Sequence, residues 1–206
     1  MKKIMFNDKY DLTRAVLSGQ KTMTRREIKC PSNAFGFRVM RNGVGDWFVE
    51  AYDDEERPIG YIEPTYKIGE VVAIAQSYKD AADYLRHQDK YKDAAKREIY
   101  YMSAGWNNKM FVKADLMPHA IEITDIKVKQ LQDISEDNCL REGIDKCGIC
   151  YEYIKKRVEG KYHFRDCGYC FKTPREAFAA LIDRVSGKGT WESNPWCFCY
   201  EFKLIK

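Results

Sequence analysis

A chain of 206 residues with 45% hydrophobic content is long enough to bury one sizeable core, and a net charge of +4 is too small to argue for nucleic acid without local clusters. The start, Met1-Lys2-Lys3-Ile4-Met5-Phe6-Asn7-Asp8, returns to charge too soon for a signal peptide, and no apolar run approaches the roughly 18 residues of a membrane span. A cytoplasmic protein without membrane contact is expected, and its eight cysteines then point to metal in a reducing compartment rather than to a disulfide framework.

In chain order, residues 11–19 read as a short helix, with Asp11 as its cap, Leu12, Ala15 and Val16 on one face and Gly19 at its left-handed end. In the extended stretch that follows, Thr22, Thr24 and Arg26 point one way and Met23 and Arg25 the other. Residues 35–66 are strand-like, with turns at Asn42-Gly43, Gly45-Asp46 and Arg57-Pro58, and Val71-Val72-Ala73-Ile74-Ala75 has the length of a buried strand. Residues 79–109 read as a charged helical insertion. Strand composition returns from Phe111 to Val128; Ser135 caps a helix running to about Glu142 and stopped by Gly143; Thr173-Pro174-Arg175-Glu176 opens another. The final strand alternates Trp196, Phe198, Tyr200, Phe202 and Leu204 with Cys197, Cys199, Glu201 and Lys203. The expected class is α+β, one domain over 1–206 built on a small β-barrel with helices at its rim.

Cys147, Cys150, Cys167 and Cys170 form C-x2-C-x16-C-x2-C, the spacing of a four-thiolate zinc site. A full thiolate shell leaves no open position, so one structural Zn ion within a loop over 146–172 is expected; it would bring +4 to +2, adding two positive and four negative charges. Unliganded thiols or two disulfides are the alternatives. Between the two pairs, Lys155, Lys156 and Arg157 alternate with aromatics, a candidate nucleic-acid surface; the competing reading has those aromatics, Phe164 among them, packing the loop onto the fold.

The run Leu12 to Arg26, containing Gly19-Gln20-Lys21-Thr22-Met23-Thr24-Arg25-Arg26, resembles the signature of ASCH domains of the PUA-like superfamily. Ile68-Gly69-Glu70-Val71-Val72, Leu131 to Ile144, and Gly187 to Ile205 resemble further parts of its phage-associated branch, in order along the chain. The resemblance implies a PUA-like barrel whose cleft beside the first helix takes RNA or a modified nucleoside. Some small members are amidohydrolases acting on N4-acetylcytidine through a lysine, a threonine and a glutamate, which fall here on Lys21, Thr24 and Glu142. Thr22 stands as the alternative to Thr24. Ala75-Gln76 replaces the branch's Arg-Glu, which implies a changed cleft floor.

Chemically, a threonine hydroxyl needs a neighbouring base, and a lysine with a lowered pKa can supply one. A simple Lys21–Glu142 ion pair tying two helices together is the plainer reading. Arg25, Arg26 and Lys29 suit phosphate. Three functions follow: a nucleic-acid or nucleotide-binding module, an amidohydrolase, and a phage accessory protein whose zinc loop binds another protein.

Overall fold

The computed structural model describes residues 1–87, 103–146, 150–151, 157–158, 162–164 and 170–205. Its first half contains β1 (Lys3–Ile4), α1 (Leu12–Leu17), β2 (Met23–Glu27), β3 (Gly36–Arg41), β4 (Trp47–Tyr52), β5 (Pro58–Ile62), β6 (Val71–Ile74) and α2 (Tyr78–His87). Then come β7 (Ala120–Gln130), α3 (Glu136–Arg141), β8 (Asp145–Lys146), β9 (Cys150–Tyr151), β10 (Arg157–Val158), β11 (Tyr162–His163), α4 (Pro174–Ser186), α5 (Thr190–Ser193) and β12 (Trp196–Leu204). The class is α+β, and no helix among the described residues is long and apolar enough to cross a membrane.

The two longest alternating segments, β7 and β12, form the centre of a five-stranded sheet ordered β1-β6-β7-β12-β2, antiparallel except where β1 runs parallel to β6. Strands β3, β4 and β5 make a separate antiparallel meander. It meets the main sheet through the fully buried Val49, which belongs to the same core, and through Phe37, whose ring stands edge-on to Trp196 at 5.9 Å. Among the described residues the sheet does not close into the expected barrel. β1 and β2 are its edges, and the meander pairs only with itself.

β12 departs from simple alternation. Cys197 and Cys199 are as buried as Phe198 and Tyr200, because the helical side of the sheet covers them while the aromatic residues fill the other face. Asp11 does not cap α1: it sits left-handed (φ 59°) after a preceding 3-10 turn and makes no side-chain cap bond. The caps of the later helices form as read, with Ser135 Oγ accepting from the Asn138 N–H at 3.3 Å and Thr173 Oγ1 from the Glu176 N–H at 3.1 Å. α2 occupies the start of the 79–109 insertion, and 88–102 lies outside the described residues.

Two backbone joints position the site. The Lys21 N–H donates to the Ala15 carbonyl (2.9 Å) and the Thr22 N–H to the Arg141 carbonyl (2.9 Å), so the segment entering β2 is clamped between α1 and the end of α3. α3 then closes with a Schellman motif, Gly143 N–H to Leu140 O and Ile144 N–H to Cys139 O. Gly143 is at φ +103°, and a Cβ there would sit 3.1 Å from Leu12 Cδ2 and 3.6 Å from Lys21 Cδ. Glycine lets α1 and the Lys21 stem pass close to this helix end.

Candidate functional site

A cavity of about 340 Å³ opens beside the free edge of β2. Phe6, Leu12, Phe178 and Leu181 form apolar walls, and Lys21, Thr24, Arg25 and Glu142 supply buried polar groups. The strand alternation is as read: Thr24 pairs with Tyr200 and Arg26 with Phe198, while Arg25 pairs with Cys199 on the opposite face. Because β2 is an edge, residues from both of its faces reach the same cavity.

Glu142 is the hub. Its Oε2 accepts from Lys21 Nζ at 2.7 Å and its Oε1 from Arg25 Nη1 at 2.8 Å, with the three side chains only 2–4% exposed. Lys21 Nζ also donates to the Glu142 carbonyl at 2.7 Å, which places an ammonium at the carbonyl end of α3. That cation offsets the unfavourable position of a carboxylate at a helix C-terminus. An exposed Lys–Glu pair is worth about 0 to 1 kcal/mol; this pair is enclosed, and the surface value does not apply to it.

Lys21 and Arg25 share one carboxylate, with all three side chains almost fully buried. Burial pushes the Lys21 pKa below the ordinary lysine value; Glu142 opposes the shift, and the Arg26 and Arg25 charges add to it. A neutral Lys21 has two N–H groups and one lone pair. Glu142 offers two acceptors, its carboxylate and its carbonyl, enough to engage both N–H groups and leave the lone pair unused.

Thr24 is 5% exposed and lines the cavity, but no hydrogen bond joins its hydroxyl to Lys21 or to any other described residue. Thr22 is different: its Oγ1 accepts from Arg141 Nε at 3.1 Å, which engages it structurally away from the cavity. Arg25 was expected to hold phosphate, yet its side chain is 2% exposed and bound to Glu142. A guanidinium with a buried carboxylate partner is held in the wall and is not a surface phosphate clamp. Arg26 and Lys29 remain exposed; Arg26 Nη2 donates to the Met5 carbonyl at 2.7 Å, and both side chains line the cavity. Gln76 does not reach the cavity. It meets His119 Nδ1 at 2.6 Å beside a small second core around Ala75 and Tyr78, so the Ala75-Gln76 departure leaves the cavity floor as it is.

No family model matches the chain, and neither does any curated protein or solved structure. The site therefore stands on its own geometry.

Of the expected zinc ligands, Cys147 and Cys167 lie outside the described residues, Cys150 is placed by its backbone in β9, and Cys170 is disulfide-bonded. Among the described residues no group of three or more His, Cys, Asp or Glu side chains is placed to hold a metal. The stem is ordered around Tyr162, which pairs with Lys146 on one side and Phe171 on the other, so the residues flanking the two C-x-x-C pairs are held one strand apart. Phe164, 1% exposed, packs edge-on to Tyr10 (5.8 Å) and stacks on Phe171 (5.9 Å); at this residue the aromatic serves the core. Lys155 and Lys156 lie outside the described residues, and Arg157 is placed only by its backbone in β10.

Proposed function

We propose that this chain is an ASCH-type, PUA-like amidohydrolase that removes an acyl group from the exocyclic amine of a modified nucleoside of the N4-acetylcytidine class. The observation that carries the reading is the convergence of Lys21, Thr24 and Glu142 on one cavity, with the lysine pKa lowered and the threonine hydroxyl unpartnered. In the reaction, Thr24 Oγ1 attacks the acyl carbonyl carbon as neutral Lys21 accepts the hydroxyl proton. Collapse of the tetrahedral intermediate breaks the C–N bond, and Lys21 returns that proton to the departing nitrogen. Water then cleaves the threonine ester, releasing the carboxylic acid and the free hydroxyl. Glu142 holds the Lys21 nitrogen in place. Turnover of N4-acetylcytidine, followed by acetate release, is expected in the wild type and lost in Lys21→Ala and Thr24→Ala; equal rates in all three proteins would remove the proposal.

A second reading, binding of RNA or a nucleotide without turnover, is favoured by the exposed Arg26 and Lys29 along the same cavity. It expects salt-dependent affinity for short single-stranded RNA, with a shallower salt slope when Arg26 and Lys29 are replaced. A polarisation titration without binding at low salt would exclude it.

For the cysteine loop we infer one structural zinc ion held by Cys147, Cys150, Cys167 and Cys170 in their reduced form. The paired stem around Tyr162 supports this reading, and the bound metal would fix the chain between Glu142 and α4 from outside the cavity.

A further inference from the structure

The register of β2 leaves the main chain of Arg25 unpaired. The Phe202 N–H donates to the Thr22 carbonyl at 3.0 Å and the Ile28 N–H to the Trp196 carbonyl at 2.8 Å, with Thr24 standing opposite Tyr200 between them. In an antiparallel ladder every second residue turns its N–H and C=O toward the partner strand. Thr22, Thr24, Arg26 and Ile28 therefore face β12. The N–H and C=O of Arg25 point to the open edge, where no hydrogen bond reaches them among the described residues. Arg25 is 9% exposed as a residue but only 2% in its side chain, so what the cavity meets at this position is main chain. The buried guanidinium, bonded to Glu142 at 2.8 Å, holds that stretch of strand in place.

We infer that the Arg25 main-chain N–H is the donor that stabilises the oxyanion formed when Thr24 attacks an acyl carbonyl. The inference rests on the hydrolase reading of the cavity and supplies a group that reading lacks. It needs no particular leaving group, so the identity of the nucleoside does not enter. When Thr24 Oγ1 bonds to the acyl carbon, the carbonyl π pair moves onto its oxygen as Lys21 takes the hydroxyl proton. The N–H of the next residue is already fixed beside that oxygen's position by the strand, before the charge appears, and such preorganised donors carry much of the rate in acyl transfer. On collapse the electron pair returns to carbon, the bond to the leaving group breaks and Lys21 gives that group the proton. A donor on the residue after the nucleophile serves acyl transfer on unrelated folds as well.

Acetyl transfer from p-nitrophenyl acetate, an acyl donor that carries no base, tests this in the full chain. Replacing the Arg25 amide with a backbone ester by semisynthesis removes the N–H and keeps the side chain in its pair with Glu142. The Thr24-dependent acylation rate, taken as the difference from Thr24→Ala, should fall about 10²- to 10³-fold, with KM little changed. Should the ester chain fail to fold, the wild type decides. Methylboronic acid forms a tetrahedral anion on a hydroxyl, and in the Thr24 adduct the Arg25 amide proton should move downfield, as a hydrogen bond to an anion requires. A Thr24-dependent rate unchanged in the folded ester chain, or an Arg25 amide proton that stays in place at saturating boronic acid, would overturn the inference and leave the hydrolase reading standing. A wild type without Thr24-dependent acylation would retire both.

Discussion

Replacing Glu142 with glutamine removes the one negative charge between two buried cations while keeping the side-chain volume. Lys21 and Arg25 are 3% and 2% exposed in their side chains, and each donates to a different oxygen of the carboxylate. A glutamine amide has one oxygen and one NH2 group, so one cation then faces a donor. Breaking a buried ion pair from one side costs about 3 to 5 kcal/mol, a large part of the roughly 5 to 15 kcal/mol that holds a typical domain. Lys21 can relieve part of the cost by losing its proton, whereas Arg25 stays charged. A lysine with a lowered folded-state pKa binds fewer protons folded than unfolded, so stability rises with pH between that pKa and the ordinary lysine value. Urea unfolding followed by circular dichroism should show Glu142→Gln less stable by about 3 to 5 kcal/mol at neutral pH. The deficit should narrow toward alkaline pH, and Lys21→Met in the same chain should recover part of it. A loss under about 1 kcal/mol, or a deficit that grows with pH, would refute the shared-carboxylate account.

Gly143→Ala should cost about 1 to 3 kcal/mol in the same unfolding assay, because φ +103° strains alanine and its Cβ meets Leu12 Cδ2 at 3.1 Å. Burial raises the thiol pKa values of Cys139 and Cys197 to about 12 and of Cys199 to about 11. These thiols stay protonated in the fold when the unfolded chain ionises, so stability should be intact below about pH 9 and fall above it. The slope is up to about 1.4 kcal/mol per pH unit for each thiol, and a Cys197→Ala/Cys199→Ala chain should show a shallower alkaline loss in a pH series of melts. Protein purified under reducing conditions should carry one zinc per chain by elemental analysis; Cys150→Ser should lower that content, and a stoichiometry of zero in the wild type would contradict the metal assignment.

The sequence made half of the site readable because its chemistry is local. Gly19 through Arg26 carries the lysine, the threonine and the turn that delivers them, and Ser135 to Gly143 marks a helix whose end carries Glu142. Arg25 was misread for a physical reason: an arginine in isolation looks like a surface anion binder, and what buries it is a carboxylate 117 residues away. Cys197 and Cys199 are buried, as the small apolar character of an unpaired cysteine leads one to expect, although alternation along the strand does not reveal that its second face is covered as well. Asp11 has a capping side chain, but the 3-10 turn before it leaves its backbone left-handed, which removes the cap geometry. The open edge of β2, which creates the cavity, depends on strand order across the whole chain and has no local signal.

Rapid-quench mass spectrometry during turnover of N4-acetylcytidine reads the central claim most directly. An acetyl ester on the peptide carrying Thr24, forming before acetate appears and missing in Thr24→Ala, is the predicted result. Acetate release at an undiminished rate in Thr24→Ala, with no ester on the wild-type peptide, would contradict it.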